Sequence, residues 1–484
     1  MASLEKFAEL RKTLQKGKVL LPGDDDYDVR LRRWSATCVK PAAAVAMPAS
    51  AEEASAIVKF AVANNIAFNV RGGGHSTSQA SSAPSPEGMV LDLGLLRNVS
   101  VDTEKQMVTF GGGCLWGDVD DALAPHGLAT PGGTVSHTGV GGLILHGGFG
   151  VLTGLHGLTI DCLISCEVVL ADGSIVTASD KENTDLFWAL RGAGSSFGVV
   201  TSFTSKAFRQ GDVYLGIKAC TPDKIPAIVN FMNHWHATTD GSTAIMVFIT
   251  HAPIAPGTEP PPGGPPRVVS VLFGHFGADA ETAGPAYFEH LVKIECLFQD
   301  VGMKPYAAAN KLNDDKAFRP EERYQFGGSN FTLPTSVETV QTLAETWWDL
   351  TAPEKGLNGS LLVLEGIPGN ASRKVPVDAM AFNSRGEYYN IGLVWHWKNP
   401  SMDSEVRLLN RQVQDETRKL GYNDSESKDG VGRYLNYVAG GLDAKDAFGE
   451  NARKLRELKQ KYDPTNVFDT VWKLLAKKEE QYAL

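Results

Sequence analysis

The sequence predicts an α+β protein in two parts, and three observations carry that prediction: its length, a fall in glycine density after Phe208, and a change there in the order of helical and extended patterns. At 484 residues the chain exceeds what one hydrophobic core usually serves, so two domains are expected. Before Phe208 a strand–helix–strand unit gives way to much antiparallel strand. After it, helix, strand, strand, helix recurs.

In the first part AVAMP (44–48) reads as a strand and SAEEASAIVKFAVANN (50–65) as a helix, with Ser50 and Glu53 as a capping box. IAFNV (66–70) returns as a strand and runs directly into RGGGHS (71–76). MVLDL, VSVD and MVTFGG follow, then CLISCEVVLADGSIVTAS, where Asp172-Gly173 predicts a hairpin. In the second part the helices are PDKIPAIVNFMNHWHA, ETAGPAYFEHLVKI, SVETVQTLAETWWDL and SEVRLLNRQVQDETRKL. TAIMVFIT, RVVSVLFGHF, GSLLVLEGI and YYNIGLVWHW are the strands, predicting one antiparallel sheet backed by helices. The proline-rich stretch 253–267 reads as a stiff surface loop between two of them. GENARKLRELKQKY is a short amphipathic helix near the C-terminus.

A net charge of −10 with no clustered Lys or Arg argues against a nucleic-acid partner, and a small-molecule ligand is expected instead. The N-terminus has no uninterrupted apolar stretch of signal-peptide type, and no segment of membrane-spanning length occurs. A cytoplasmic protein without membrane association is expected. Six scattered cysteines (Cys38, Cys114, Cys162, Cys166, Cys220, Cys296), without a CxxC pair, suit reduced thiols there. No metal site is expected, because His75, His137, His146 and His156 match no metal-ligand spacing.

Three glycine-dense stretches lie in the first part: RGGGHS, PGGTVSHTGVGGLILHGGFG (131–150) and RGAGSSFGVV (191–200). Glycine loses more backbone freedom on folding than any other residue, so such runs imply tight turns or close backbone approach. Gly192-x-Gly194 is not a dinucleotide fingerprint, since a helix precedes it and a strand follows. Loops of this kind still form anion-binding nests of backbone N–H groups, which suits a pyrophosphate cofactor. On chemistry alone, a histidine after glycines is more often hydrogen-bonded and structural than reactive.

VRGGGHS, LDLG, GGGCLWGDVDDALAPHGLATPGG, TGVGGLILHGGFG, HGLTIDCLISCEVVLADGSIV, DLFWALRGAGSSFGVV, RYLNYV and KYDPTNVF occur in this order over roughly 36–208 and 432–474. Together they resemble the berberine bridge enzyme-like FAD-linked oxidases of the vanillyl-alcohol-oxidase superfamily, and mono-covalent members of the 6-hydroxy-D-nicotine oxidase type in particular. The resemblance implies an N-terminal helical extension (1–35), a PCMH-type FAD-binding domain (36–208), a substrate domain (209–425) and a C-terminal segment returning to the FAD domain (426–484). It implies FAD held by Arg71, Gly72, Gly73, Gly74, His75, Ser76, Gly132, Gly133, Thr134, Ser136, Thr138, Gly139, Gly141, Gly142, Gly198, Val200 and Asn436. His75 would carry the flavin through its 8α-methyl group. Val135 stands where bicovalent members place a second, cysteine link, so His75 is expected to be the single tether.

In the same resemblance the name-giving enzyme's catalytic glutamate falls on Gly392, a frequent histidine on Leu143, and the tyrosine of some plant members on Phe149. Candidates for the catalytic groups are therefore Tyr437, Tyr388 and His396. A phenol titrates near 10, so Tyr437 as a base at neutral pH calls for a lowered pKa or a neighbouring cation; a cofactor-packing role is the alternative. Strand alternation sets Tyr389, Trp395 and Trp397 on one face, and Tyr388 and His396 on the other; one of these faces lines the substrate cavity. The implied activity is hydride transfer from a C–H of a small, aromatic or polycyclic metabolite to flavin N5, with dioxygen reoxidising the flavin to give hydrogen peroxide. The alternative is a non-redox isomerase or cyclase with FAD as scaffold.

Overall fold

The computed structural model describes residues 2–253, 261–262, 264–311, 314, 322–421, 434–438, 443–469 and 472–475. Most of the proline-rich stretch, and the expected boundary at 425/426, lie outside the described residues. The opening strand and helix form as expected over Ala44–Met47 and Ala51–Ala63. Ser50 caps the helix by accepting the Glu53 N–H, but Glu53 completes no box. Its carboxylate accepts from the N–H groups of Ala49, Gln15 and Lys16 and so ties the N-terminal segment to this helix.

Four strands make the first sheet, in the order Lys18–Leu20, Ala44–Met47, Met89–Asp92, Phe68–Arg71. The Met89–Asp92 strand pairs in parallel with both neighbours, so Arg71 stands opposite Asp92 and the glycine run leaves the sheet beside that carboxylate. A second sheet of five antiparallel strands includes the predicted hairpin, Leu163–Val169 and Ile175–Ser179, with Gly173 at φ 78° in its turn.

The third sheet has seven antiparallel strands rather than four. Their order is Phe298–Lys304, Val213–Cys220, Arg267–His275, Thr243–His251, Leu361–Gly366, Tyr389–Trp397, Arg323–Phe331. Of the three strands missed by sequence reading, FQDVGMK is half polar and RYQFGGSNF holds two glycines, which breaks the apolar alternation, while the third, VYLGIKAC, is mostly apolar, so its signal was present. Tyr389, Trp395 and Trp397 point to the helix side and are buried with Trp235, Trp347 and Trp348, a Trp347–Trp395 contact of 4.7 Å among them. That face is core. On the other face Val213, Leu215, Met246, Val363 and Ile367 pack on Ala129, Val151 and Leu152 of the first part.

Beyond the helix Asp403–Gly421, the C-terminal helix Asn451–Tyr462 returns to the first part, burying Leu455 and Leu458 with Phe187 and Trp188. Buried Lys459 donates to Asp463 and to the carbonyls of Ser196 and Phe468, which seats the segment DPTNVF. Cys220 and Cys296 form a disulfide, which corrects the expectation of six reduced thiols; the other four are free and buried. Alternation and spacing carry no signal for this pairing, because the two cysteines stand 76 residues apart and meet only where the Val213–Cys220 strand ends beside its neighbour. Among the described residues, no helix is long and apolar enough to cross a membrane.

Candidate active site

One cavity runs between the glycine loops and the seven-stranded sheet, from which Phe326 and Glu365 line it. It is lined by Arg71, Gly72, Gly73, Gly74, His75, Ser76, Gly133, Thr134, Thr138, Gly139, Gly141, Gly142, Gly198, Val200, Asn436 and Tyr437 of the expected set. Gly132 and Ser136 are not on its wall. Gly132 lies against the Trp116 ring, where a Cβ would come within 2.5 Å, and Ser136 is held by Asp314.

Two of the glycine loops touch through bare backbone. A Cβ on Gly73 would stand 2.5 Å from the Gly139 nitrogen, and one on Gly139 would stand 2.3 Å from the Gly73 nitrogen. Only glycine permits that approach at either position. A Cβ on Gly142, by contrast, meets nothing within 4 Å, so this residue presents open backbone to the cavity. Arg71 ion-pairs with fully buried Asp92 at 2.8 Å, yet its Nε is buried without a hydrogen-bond partner among the described residues. Buried Arg33 lines the same wall; loss of hydration, then the charge of Arg71, lowers its pKa to about 10. Two guanidinium groups against one carboxylate, beside open N–H groups, fit a diphosphate.

His75 ends the first loop, and its Nε2 lies 3.1 Å from His137 Nδ1. Burial, and then the neighbouring His137, lower its pKa to about 3, so the imidazole is neutral at physiological pH. Among the described residues no cysteine lines the cavity. Further along, His146 Nε2 is 2.9 Å from Ser195 Oγ, both on the cavity wall.

At the sheet end, the Tyr437 hydroxyl donates to Glu365 Oε1 at 2.7 Å. Glu365 is 6% exposed, and its second oxygen has no hydrogen-bond partner among the described residues. Burial raises its pKa to about 7 against the opposing pull of the Tyr437 hydrogen bond. Burial and the adjacent carboxylate push the Tyr437 phenol well above its ordinary value. The surroundings thus act opposite to the lowered pKa that the sequence reading called for. Tyr437 stacks on Phe326 at 5.6 Å with planes 6° apart, and Phe149 and Tyr434 extend the aromatic wall.

Tyr388 and His396 do not reach this cavity. The Tyr388 hydroxyl donates to the Ser384 carbonyl, and His396 Nε2 lies 2.7 Å from Glu322. Sequence reading missed Glu365, although its signal was present: one carboxylate inside the apolar run LLVLEGI. Arg33 and Phe326 carried no such signal, since Arg33 falls in the expected N-terminal extension and Phe326 in a stretch to which sequence reading assigns no element.

The FAD binding domain family matches residues 42–179, and the berberine and berberine-like family matches residues 433–470. The FAD-linked oxidoreductase pgmH of Aspergillus terreus is 32% identical, over 97% of this chain and 94% of that protein. The chain belongs to the berberine bridge enzyme-like FAD-linked oxidoreductases. It is an FAD-dependent oxidase. A xylooligosaccharide oxidase of Thermothelomyces thermophilus is 29% identical, over 88% of this chain and 86% of that one. Among solved structures, 6-hydroxy-D-nicotine oxidase from Arthrobacter nicotinovorans superposes with a TM-score of 0.78 at 23% identity, covering 94% of this chain and 96% of that one. Physcomitrella patens BBE-like 1 gives 0.82 at 19%, covering 99% of this chain and 100% of that one. At these identities the two structures speak for the fold, a PCMH-type FAD-binding domain with a second, sheet-based domain.

Proposed function

We propose that this oxidase takes hydride from a carbon bearing a hydroxyl or amino group on a small aromatic or polycyclic substrate, with Tyr437 and Glu365 as the proton-accepting pair. The observation that carries the proposal is the 2.7 Å Tyr437–Glu365 hydrogen bond at the cavity wall. When bound, FAD supplies the two-electron acceptor that takes the hydride and returns the electrons to dioxygen as hydrogen peroxide.

The proton leaves the substrate hydroxyl or amine toward the Tyr437 oxygen, while the Tyr437 proton moves along the existing hydrogen bond to Glu365. A free phenolate is never needed. A carboxylate with a pKa about 7 is well matched to accept a proton at neutral pH. Phe149, Phe326 and Tyr434 supply flat apolar surface for an aromatic substrate. At the other end, the backbone of Gly72–Gly74 and Gly139–Gly142, with Arg33 and Arg71, would hold the diphosphate. His75 would be the single covalent tether. The division of the chain at 35, 208 and 425 is part of the same proposal.

The test is anaerobic mixing of the purified enzyme with a panel pairing aromatic alcohols and amines with xylooligosaccharides, followed by admission of air. Bleaching of the flavin band by an aromatic compound and stoichiometric peroxide on aeration are expected. Bleaching by oligosaccharides alone overturns the substrate class, and turnover of a substrate without any bleaching overturns hydride transfer.

A further inference from the structure

We propose that Trp34 and His137 are positioning residues that clamp the His75 imidazole for covalent attachment of the flavin. The proposal rests on the reading of His75 as the tether. Trp34 lies in the expected N-terminal extension, before the matched FAD-binding segment begins at residue 42. Yet its ring stacks on His75 at 4.9 Å with planes 13° apart, and its backbone N–H donates to the Gly74 carbonyl at 2.9 Å.

The tryptophan is itself immobilised. It is 4% exposed, and it also stacks on Tyr324 at 4.3 Å and Phe326 at 4.9 Å. The following residues stitch it to the same strand: Ser35 Oγ donates to the Tyr324 carbonyl and accepts the Tyr324 N–H, and Ala36 N–H donates to the Glu322 carbonyl. A short strap therefore presses on His75 from one side. His137 meets it from another, with ring centroids 5.0 Å apart and the 3.1 Å Nε2–Nδ1 contact.

The contact occupies Nε2 and leaves Nδ1 as the ring nitrogen for the coupling. The reactive tautomer in this proposal is the one in which His75 donates Nε2–H to His137 Nδ1 and keeps its lone pair on Nδ1, and the neutral imidazole expected from its burial is then nucleophilic. In the coupling a bond forms between His75 Nδ1 and the flavin 8α carbon. The Nε2 proton passes to His137, one proton leaves the 8α methyl, and two electrons enter the isoalloxazine. Dioxygen then takes those two electrons and two protons as hydrogen peroxide, and the oxidised, tethered flavin remains.

The experiment compares wild type with His137→Ala, Trp34→Leu and Trp34→Phe. Total flavin per chain and its acid-precipitable fraction are followed in purified protein during incubation with FAD. Expected is similar total flavin throughout, with the acid-stable fraction accumulating on the order of 100-fold more slowly in H137A and W34L, the scale of a lost near-attack geometry. W34F, which keeps a stacking ring, should stay near wild type. Equal rates in all four proteins overturn the clamp and leave the tether standing. Parallel loss of total and acid-stable flavin also overturns it, since the two residues would then serve only the fold of the site. Flavin released by acid from wild type overturns the tether, and the clamp with it.

Discussion

Tyr437 lies over Gly392: a Cβ there would stand in van der Waals contact, 3.5 Å, with Tyr437 Cε2 and would press on Val363 Cγ1 at 2.7 Å. Gly328, paired with Gly392 on the next strand, faces the same ring, with a Cβ 2.8 Å from Tyr437 Cβ. The two glycines form a floor for the phenol. The neighbouring strand supplies the carboxylate, Glu365, in place of the glutamate that the family resemblance sets at 392.

Gly328→Ala, whose Cβ would press on Tyr437 Cβ at 2.8 Å, should cost about 1–3 kcal/mol, as overpacking of a buried contact does. It should also displace Tyr437, so that turnover falls more than the midpoint of urea unfolding suggests. Paired unfolding curves and steady-state rates check this; unchanged turnover would show that the floor does not place the phenol.

Glu365→Gln should lower kcat by roughly 10²–10⁴-fold, the range for a lost general base. Because the carboxyl acts in its ionised form, wild-type kcat should rise with pH through about 7, and the variant should lose that limb. A profile measured from pH 5 to 9 decides the matter.

The same substitution has an opposite effect on stability. Burial raises the Glu365 pKa above its ordinary value of 4.5, so its contribution to folding is full below about 4.5 and is lost as pH rises through about 7. Above that pH the wild type carries a buried charge that glutamine lacks. Glu365→Gln should therefore raise Tm relative to wild type at pH 8 and change it little at pH 4.5, as read by calorimetry.

Arg385 and Asp161 join the two parts of the chain through a buried pair, with guanidinium–carboxylate contacts of 2.6 and 3.0 Å. Arg385→Met leaves the Asp161 carboxylate buried without its cation and should cost about 3–5 kcal/mol. Adding Asp161→Asn should restore part of that loss. Equal losses in the single and double variants, by urea unfolding, would deny the pair its coupling.

Reduction of the Cys220–Cys296 bond, which closes a loop across 76 residues, should lower stability by about 2–5 kcal/mol. Dithiothreitol should shift Tm in wild type and leave Cys220→Ser/Cys296→Ser unmoved.

Local pattern determined much of this protein. The Ser50 cap, the hairpin at Gly173, the helix before Gly194 and the glycine loops all follow from residues within a few positions of one another, where conformational preference acts directly. The order of the motifs also carried the family, and with it the cofactor. Tertiary structure decided what depends on strand neighbours. RYQFGGSNF is a strand because it pairs along its whole length with Tyr389–Trp397, and Tyr437 meets a glutamate at 365 only through the sheet. Which face of YYNIGLVWHW would be core was set by the helices covering it, and the roles of Arg33 and Trp34 by a chain that folds back over the glycine loop. Sequence spacing is blind to such contacts, because burial and cross-strand pairing are properties of the packed molecule.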